Sequence, residues 1–237
     1  MMEAGHDKQA NFGLSGSSFS VSDNLTVQPN FLTLSKSRLI MVQATARLLF
    51  SPDEYLEAEK NSPIKHEYIQ GQVYAMAGAS DAHVTIVANL TALLRPHLRG
   101  APCRLYPSDM KVKIPSRNCY YYPDLLVTCD ERDRGSDYFK HYPKLIIEVL
   151  SNSTEAFDRG DKFDDYSEIE ALEEYVLVSQ KHYRIDCFRR NAKGIWFLTR
   201  YRLADRLILE SISFSCRVAE VYEDVVIPVQ PVVDRDK

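Results

Sequence analysis

Two acidic residues lie in or beside apolar segments near the middle of this 237-residue chain. Asp124 follows a proline and precedes an apolar run over 125–129, and Glu148 lies inside a second apolar run over 144–150. A carboxylate buried in a sheet is costly unless it is paired or binds a metal. Adjacent strands lie about 4.8 Å apart, so both side chains could reach one cation if they point to the same face. The pair therefore predicts a site for a hard divalent cation such as Mg²⁺.

The first half of the chain predicts helices that alternate with short strands. A serine followed by proline and acids at 51–54 is typical of a helix start, which predicts a helix over about 52–60. Gln70 and Gly71 predict a tight hairpin turn, and Ser80 begins a longer helix. The apolar stripe that we expect to face the core on that helix is Val84, Val87, Leu90, Leu94 and Leu98.

The second half predicts a sheet. Residues 144–150 read as a central strand buried on both faces, a helix is expected near 154–170, and an apolar strand follows over 174–179. Alternating segments then predict a C-terminal antiparallel meander, with strands at 183–189, 195–202 and 206–212. The order indicates the mixed α/β class, with a central mixed sheet flanked by helices.

Composition divides the chain into three parts. Residues 1–42 are rich in Ser, Asn, Gly and Thr without a sustained period, which predicts a disordered N-terminal extension. Met41 lies just before the periodic sequence and is a candidate start. We expect one domain over 43–225 and a frayed tail over 226–237.

Charge and cysteine usage narrow the functional class. The net charge of −4 argues against a surface that binds nucleic acid indiscriminately. The meander is nevertheless locally basic, with eight Lys or Arg against two acids over 181–206, while 130–174 carries fourteen acids against six bases. A basic face could hold a phosphate backbone beside an acidic metal site, although solvated strand faces would give the same pattern.

The cysteines and the apolar runs indicate the cellular compartment. The five cysteines are odd in number and show no Cys-x-x-Cys spacing, which predicts reduced thiols. No apolar run approaches the roughly 20 residues needed to cross a bilayer, and the N-terminus lacks the layout of a signal peptide. We therefore expect a cytoplasmic protein without a membrane partner.

An ordered set of motifs resembles a known family. The motifs are Glu67-Tyr68-Ile69-Gln70-Gly71, Pro123-Asp124, Ile147-Glu148-Val149-Leu150-Ser151, Asp158-Arg159-Gly160-Asp161-Lys162 and Glu174-Tyr175. Together they resemble the Uma-two (Uma2) family of endonucleases, within the PD-(D/E)XK superfamily, over roughly 46–223. The resemblance implies a restriction-endonuclease-like core.

The resemblance also implies site residues and partners. Asp124 and Glu148 match the metal-binding acids, and Glu67 matches an additional acid that is a catalytic and metal-binding candidate. The superfamily places a lysine two positions after the strand acid, where this chain has Leu150, so the family pattern implies that Lys162 on the following helix takes that catalytic role. The expected activity is Mg²⁺-dependent hydrolysis of DNA, with Mn²⁺ as a substitute, a possible homodimer and no organic cofactor.

Each assignment has an alternative that the sequence leaves open. Asp124 could cap a turn, Glu148 could pair with a buried Lys or Arg, and Lys162 could form an ordinary surface pair along its helix. For Glu67 the sequence favours neither a role in the site nor a structural role. The alternative function is a catalytically inactive domain of the same fold that binds nucleic acid or protein.

Three further positions are candidates with structural alternatives. Asp109 could face the site or occupy a turn, His83 could touch a phosphate or play a structural part, and the tyrosines at 120–122 could stack on bases or pack at a sheet edge.

Overall fold

The computed structural model describes residues 49–227. The predicted extension over 1–42, including Met41, and all of the predicted tail beyond residue 227 lie outside the described residues. The helices are α1 (Pro52–Lys60), α2 (Asp81–His97), α3 (Glu155–Arg159), α4 (Asp161–Ser167) and α5 (Val218–Val221). The first strands are β1 (His66–Ile69), β2 (Gln72–Ala75), β3 (Arg104–Pro107), β4 (Lys111–Ile114), β5 (Cys119–Tyr121), β6 (Leu125–Thr128) and β7 (Phe139–Lys140). The later strands are β8 (Pro143–Leu150), β9 (Glu174–Ser179), β10 (Arg184–Arg190), β11 (Trp196–Arg202), β12 (Arg206–Leu209) and β13 (Phe214–Arg217).

These strands form two sheets and a ribbon. The larger sheet has the order β11-β10-β9-β8-β6-β3, the smaller sheet has the order β2-β1-β5-β4-β7, and β12 pairs with β13. Pairing is parallel between β8 and β9 and between β4 and β7, and antiparallel between the other paired strands. The predicted class, a mixed α/β domain with a central mixed sheet and helices, is confirmed.

Local sequence signals explain the first helix and hairpin. The hydroxyl of Ser51 accepts a hydrogen bond from the Glu54 N–H, and the Glu54 carboxylate accepts one from the Ser51 N–H. This reciprocal capping starts α1 at the predicted position. Gln70 and Gly71 have φ angles of 49° and 92°, the left-handed pair that a two-residue hairpin requires.

The buried face of α2 differs from the predicted stripe. The helix buries Ile86, Leu90 and Leu94 against the larger sheet, while the side chain of Val84 is 56% exposed. Including Val84 was wrong because it lies two residues before Ile86, which is about 200° around the helix and therefore on the opposite face, whereas Ala82 in the same first turn does pack against the core. The later members of the stripe do face the core, and the prediction missed Ile86, which is fully buried.

The helix predicted near 154–170 is wrong as one continuous element. It is divided into α3 and α4 at Gly160, whose φ and ψ of −114° and −106° are not helical. Glycine stabilises a helix interior poorly because its backbone loses the most entropy on ordering. Lys162 follows the break, and its side chain lies beside Glu148 of the larger sheet.

The predicted meander is correct for two strands and wrong for the third. β9, β10 and β11 pair in sequence as an antiparallel meander, but β12 leaves the sheet and pairs with β13. Ser213, with φ of 52°, turns the chain between β12 and β13. Leu207 and Leu209 alternate with exposed positions, so the local period is the same whichever strand becomes the partner.

The arginines of the meander form ion pairs and hydrogen bonds with other residues of the fold. The guanidinium groups of Arg189 and Arg200 lie 2.8 Å from the carboxylates of the buried acids Glu174 and Asp186. Arg190 donates to the backbone carbonyls of residues 167 and 169. These arginines stabilise the sheet, which weakens the interpretation of the meander as a face that holds a phosphate backbone.

The cysteine prediction is wrong for two of the five residues. Cys103 and Cys129 form a disulfide that joins the end of β6 to the residue before β3, and Cys119, Cys187 and Cys216 are buried free thiols. The strands β3 and β6 pair in the register that places positions 103 and 129 opposite each other, which linear spacing does not show. Across residues 49–227, none of the helices combines the length and apolarity that crossing a membrane would require.

Candidate active site

Strand pairing brings the two predicted acids together. Leu125 lies opposite Ile147 in the antiparallel pair of β6 and β8, so the next positions along the register are Asp124 and Glu148. The Asp124 N–H donates to Glu148 Oε2 at 3.3 Å, and the Val149 N–H donates to Asp124 Oδ2 at 2.7 Å. Both carboxylates therefore lie on one side of the sheet. The alternative in which Asp124 caps its own turn does not describe this contact, because its partner Val149 is on the neighbouring strand.

Lys162 projects from α4 back to the same carboxylates. Its Nζ lies 3.0 Å from Glu148 Oε1, 3.0 Å from Glu67 Oε1 and 3.6 Å from Asp158 Oδ1. The lysine side chain is only 6% exposed, so the alternative of an ordinary surface pair is wrong, although the contact with Asp158 along the helix is present. The other alternative, that Glu148 pairs with a buried lysine, describes the structure correctly, and that lysine is Lys162 itself.

Leu150 explains why the lysine is not on the strand. It lies two residues after Glu148 on β8, is 2% exposed, and packs in the apolar cluster that includes Tyr121, Tyr166 and Tyr175. A lysine at that position would have its stem in the same cluster. The ammonium group instead reaches Glu148 from α4, the helix that packs over this face of the sheet.

Burial and mutual charge set the protonation of this cluster. Burial raises the pKa of the Glu148 carboxyl well above its ordinary value, and the nearby carboxylates Asp158, Asp124 and Glu67 raise it further, while Lys162 acts in the opposite direction. Burial likewise raises the pKa of Asp158. Burial alone would lower the pKa of Lys162, but its three carboxylate neighbours outweigh burial and raise it. Lys162 is therefore a cation at neutral pH.

Glu67 joins the site through the lysine. It lies on β1 in the smaller sheet, and its Oε1 accepts from the Tyr122 N–H at 3.2 Å in addition to its contact with Lys162. This acid thus connects the two sheets at the point where β5 leads into Asp124. The structure places Glu67 beside the lysine, and its predicted role as a metal ligand stays a prediction.

A hydrogen-bonded chain reaches Asp124 from α2. The hydroxyl of Ser80 donates to Gln180 Oε1, the Gln180 amide is 3.2 Å from His83 Nδ1, and His83 Nε2 is 2.8 Å from Asp124 Oδ1. With Nδ1 as the acceptor of the Gln180 amide, Nε2 carries the hydrogen and donates to Asp124. His83 therefore contacts a site carboxylate rather than filling a structural position away from it.

Two members of the cluster were not predicted from sequence. Asp158 is buried on α3, and the hydroxyl of Tyr166 on α4 donates to Glu148 Oε1 at 3.1 Å. Both are at helical spacing from Lys162, so the spacing that suggested a surface pair was also the signal for a shared inward face. Gln180 carries no comparable signal because its partner His83 is 97 residues distant in sequence.

Of the remaining candidates, Asp109 lies outside the site, whereas the tyrosines border it, with the Tyr121 ring centre 5.2 Å from Lys162 Nζ. Asp109 is 79% exposed and pairs with Lys65 in a turn. Tyr120 and Tyr122 are buried, and Tyr120 packs against Tyr55 and Tyr68 of the cluster beneath α1. These positions therefore take the structural alternatives of a turn and aromatic packing.

The donor chemistry at Asp124 and Glu148 fits a hard cation. Within residues 49–227, no group of three or more His, Cys, Asp or Glu side chains is arranged to hold a metal ion. Mg²⁺, however, is commonly bound through one or two carboxylates and completed by waters and substrate phosphates. Two carboxylates on neighbouring strands meet that requirement, and among the described residues the contact at Glu148 Oε2 is a long one, 3.3 Å from the Asp124 N–H.

Comparison with known sequences assigns the family. Residues 52–219 match the Uma2 family, which is described as "Putative restriction endonuclease". The chain belongs to the Uma2 family. The stretch that matches contains every acid and the lysine of the site, which confirms the family and the nuclease-like class expected from the motifs.

Two sequence relatives and one solved structure are similar to this Uma2 chain. The chain is 45% identical over 172 residues to "Uncharacterized protein slr1290" of Synechocystis sp., covering 73% of this chain and 90% of that protein. It is 36% identical over 162 residues to "Uncharacterized protein sll1609" of the same organism, covering 68% and 91%. A crystal structure of "a putative nuclease belonging to DUF820" from Anabaena variabilis is similar in fold, with a TM-score of 0.62 at 12% identity, covering 75% of this chain and 99% of that chain.

Proposed function

We propose that this Uma2 protein is a Mg²⁺-dependent endonuclease that hydrolyses phosphodiester bonds in DNA, with Mn²⁺ as a substitute. The observation that carries the proposal is the convergence of Asp124 and Glu148 on one side of the larger sheet, with the ammonium group of Lys162 3.0 Å from Glu148. The family description, "Putative restriction endonuclease", supports the substrate class.

Asp124 and Glu148 are the residues that would hold the cation. When bound, Mg²⁺ supplies polarisation of the phosphate and a lower pKa for a coordinated water. The protein holds its own carboxylates in place: the Val149 N–H and His83 fix the two oxygens of Asp124, and Tyr166 and Lys162 fix Oε1 of Glu148. A site whose groups are already oriented avoids reorganisation during the reaction.

Lys162 provides a fixed positive charge beside the reacting phosphate. Its ammonium group is held by Glu148, Glu67 and Asp158, so the charge stays in one place instead of moving with a flexible side chain. A cation at this point favours the negative charge that develops on the phosphate oxygens in the transition state. Glu67 serves this arrangement by holding the lysine from the opposite sheet.

A plasmid-nicking assay tests the proposal. Supercoiled DNA is incubated with Mg²⁺ or Mn²⁺ and with the wild-type protein, Asp124→Asn or Glu148→Gln, which keep the size of each side chain while removing its charge. We expect each substitution to lower the nicking rate by at least about 100-fold, because each removes a group that acts on the transition state. Asp109→Asn is the matched control, an exposed acid outside the site that should leave the rate unchanged.

Two results would count against the proposal. Nicking at the wild-type rate by both Asp124→Asn and Glu148→Gln would show that the activity arises elsewhere. Salt-sensitive retention of DNA with no cleavage under any divalent ion would favour a binding domain that has lost turnover.

A homodimer, which would allow both strands to be cut together, stays a prediction that sedimentation equilibrium can check.

A further inference from the structure

A group of basic side chains lies beside the acidic site, at one end of β10 and β11. We call it the basic cluster, and its members are Arg159, Lys181, Arg184, Arg200 and Arg202. Among the described residues, the acids that form ion pairs with it are Glu155 and Asp186. A third acid, Asp205, accepts a hydrogen bond from the backbone N–H of Arg202. Five bases against these three acids leave two positive charges in surplus.

Strand register places the basic cluster on the same face of the larger sheet as Glu148. Glu148 lies opposite Leu177, Leu177 opposite Asp186, and Asp186 opposite Arg200. Residues directly opposite each other on paired strands share a face, so these four side chains form one row across β8, β9, β10 and β11. At about 4.8 Å per strand, Asp186 is about 10 Å and Arg200 about 14 Å from Glu148.

The chain also connects the basic cluster directly to the acidic site. On α3, Asp158 lies 3.6 Å from the ammonium group of the site lysine, and the next residue, Arg159, lies 2.9 Å from Asp186. The residue before Lys181 belongs to the hydrogen-bonded chain that ends at Asp124. The two groups of charges are therefore neighbours in one surface region.

Members of the basic cluster are open to an anion from solvent. The side chains of Lys181 and Arg200 are 38% and 46% exposed. Arg200 contacts Asp186 through Nε, which leaves its two terminal nitrogens outside that ion pair. Arg202 is exposed, and no acid within residues 49–227 lies at ion-pair distance from its guanidinium group.

The arginines at the opposite end of β10 have partners in the fold. Arg189 pairs with Glu174 and Glu210, and Arg190 donates to three backbone carbonyls. The basic cluster is therefore the part of the meander that fits a phosphate backbone best.

We propose that the basic cluster binds the phosphate backbone of duplex DNA about three to four nucleotides from the bond that is cut. That spacing follows from the distance of about 10–14 Å to Glu148, since one strand of DNA rises about 3.4 Å per nucleotide. The inference rests on the proposed function, because it concerns the substrate of the same site. A backbone held here offsets the repulsion between DNA and the acidic site and fixes the position of the reacting phosphate.

The test measures how DNA binding by the full-length protein depends on salt. A fluorescein-labelled duplex of about 20 base pairs is titrated in EDTA, so that no cleavage occurs, at about 50–200 mM KCl, and binding is read by fluorescence anisotropy. Lys181→Gln combined with Arg202→Gln removes two charges and leaves the ion pairs of Asp186 in place. We expect the slope of log affinity against log salt to fall by about two, and the affinity in 0.1 M salt to fall by at least about 10-fold.

Two matched variants separate a bound phosphate from a general effect of charge. Arg202→Lys keeps the charge at its position and should keep the wild-type slope. Lys193→Gln removes an exposed lysine from the turn at the other end of β10 and should change the slope little. Circular dichroism establishes that each variant is folded, and the single substitutions Lys181→Gln and Arg202→Gln should each lower the slope by about one.

The outcomes separate this inference from the proposed function. A wild-type slope in the folded double variant overturns the inference, and so does a loss of slope in Lys193→Gln equal to that in Arg202→Gln. Either result leaves metal-dependent hydrolysis in place if wild-type protein nicks plasmid. Wild-type protein that binds the duplex through the basic cluster and nicks no plasmid with Mg²⁺ or Mn²⁺ contradicts the proposed function and supports the assignment of the cluster.

Discussion

Replacing Lys162 with methionine should destabilise the metal-free protein strongly. Methionine keeps most of the apolar stem but leaves Glu67, Glu148 and Asp158 without the cation that they share. Removing one partner of a buried ion pair costs about 3–5 kcal/mol, because the remaining charge stays buried and uncompensated. For a domain of this size, 1 kcal/mol corresponds to about 2–4 °C in Tm. We therefore expect the Tm in EDTA at pH 8 to fall by about 6–20 °C.

The size of this loss should depend on pH. Burial raises the pKa of Glu148 and Asp158 in the folded protein, and Lys162 opposes that shift. Without the lysine both folded pKa values move further above the unfolded values, so the folded variant binds protons more tightly than the unfolded chain. Stability is then greatest below the unfolded pKa of about 4 and is lost as pH rises through the folded values. The Tm difference between Lys162→Met and wild type should therefore shrink from pH 8 toward pH 5.

A matched control separates this effect from the loss of any lysine charge. Lys60→Met removes an ion pair with Glu57 that is three residues distant on α1 and exposed to solvent, and such pairs contribute about 0–1 kcal/mol. Differential scanning calorimetry on both variants from pH 5 to pH 8 gives the comparison. A Tm for Lys162→Met within 3 °C of the control at pH 8 would refute the reasoning, since three buried carboxylates would then tolerate the loss of their cation. So would a difference that grows as pH falls.

Three further measurements check other parts of the structure. His83→Ala should weaken Mn²⁺ binding by about 10–100-fold while changing Tm little, because it removes the donor that orients Asp124 without touching the core; titration calorimetry reads the affinity, and an unchanged value would separate His83 from the site. Asp186→Asn should lower the free energy of unfolding by about 3 kcal/mol in urea titrations, since it leaves three arginines around an uncharged buried group. A thiol titration of unfolded, unreduced protein should find three thiols rather than five if Cys103 and Cys129 are joined as the structure shows.

The sequence predicted those parts of the fold that depend on neighbours along the chain. The cap at Ser51 and the turn at Gln70 and Gly71 act within four residues, and the structure has both at the predicted places. Residues 144–150 were readable as a central strand because burial on both faces gives a continuous apolar run. In each case the physical cause is local, so the residue types alone carry it.

Two of the errors arose where a partner distant in sequence decides the outcome. The alternating pattern of 206–212 fits any antiparallel neighbour, and only the folded chain shows that β12 pairs with β13 instead of β11. The same holds for Cys103 and Cys129, which become neighbours through the pairing of β3 with β6. A two-residue period fixes which side chains share a face, and it leaves the identity of the neighbouring strand open.

Within the candidate site, too, some residues could be predicted from the sequence and others could not. A carboxylate in an apolar strand is visible as an anomaly, so Asp124 and Glu148 could be found from sequence, whereas Lys162 in a charged helical segment resembles any solvated lysine. What distinguishes Lys162 is its burial against acids from two other elements, Glu67 on β1 and Glu148 on β8. Placing the lysine on a helix instead of on the strand beside Glu148 has a chemical consequence. The ammonium group contacts Oε1 of Glu148 and the Asp124 N–H contacts Oε2, so the lysine neutralises the buried carboxylates and leaves Oε2 to the cation that we propose.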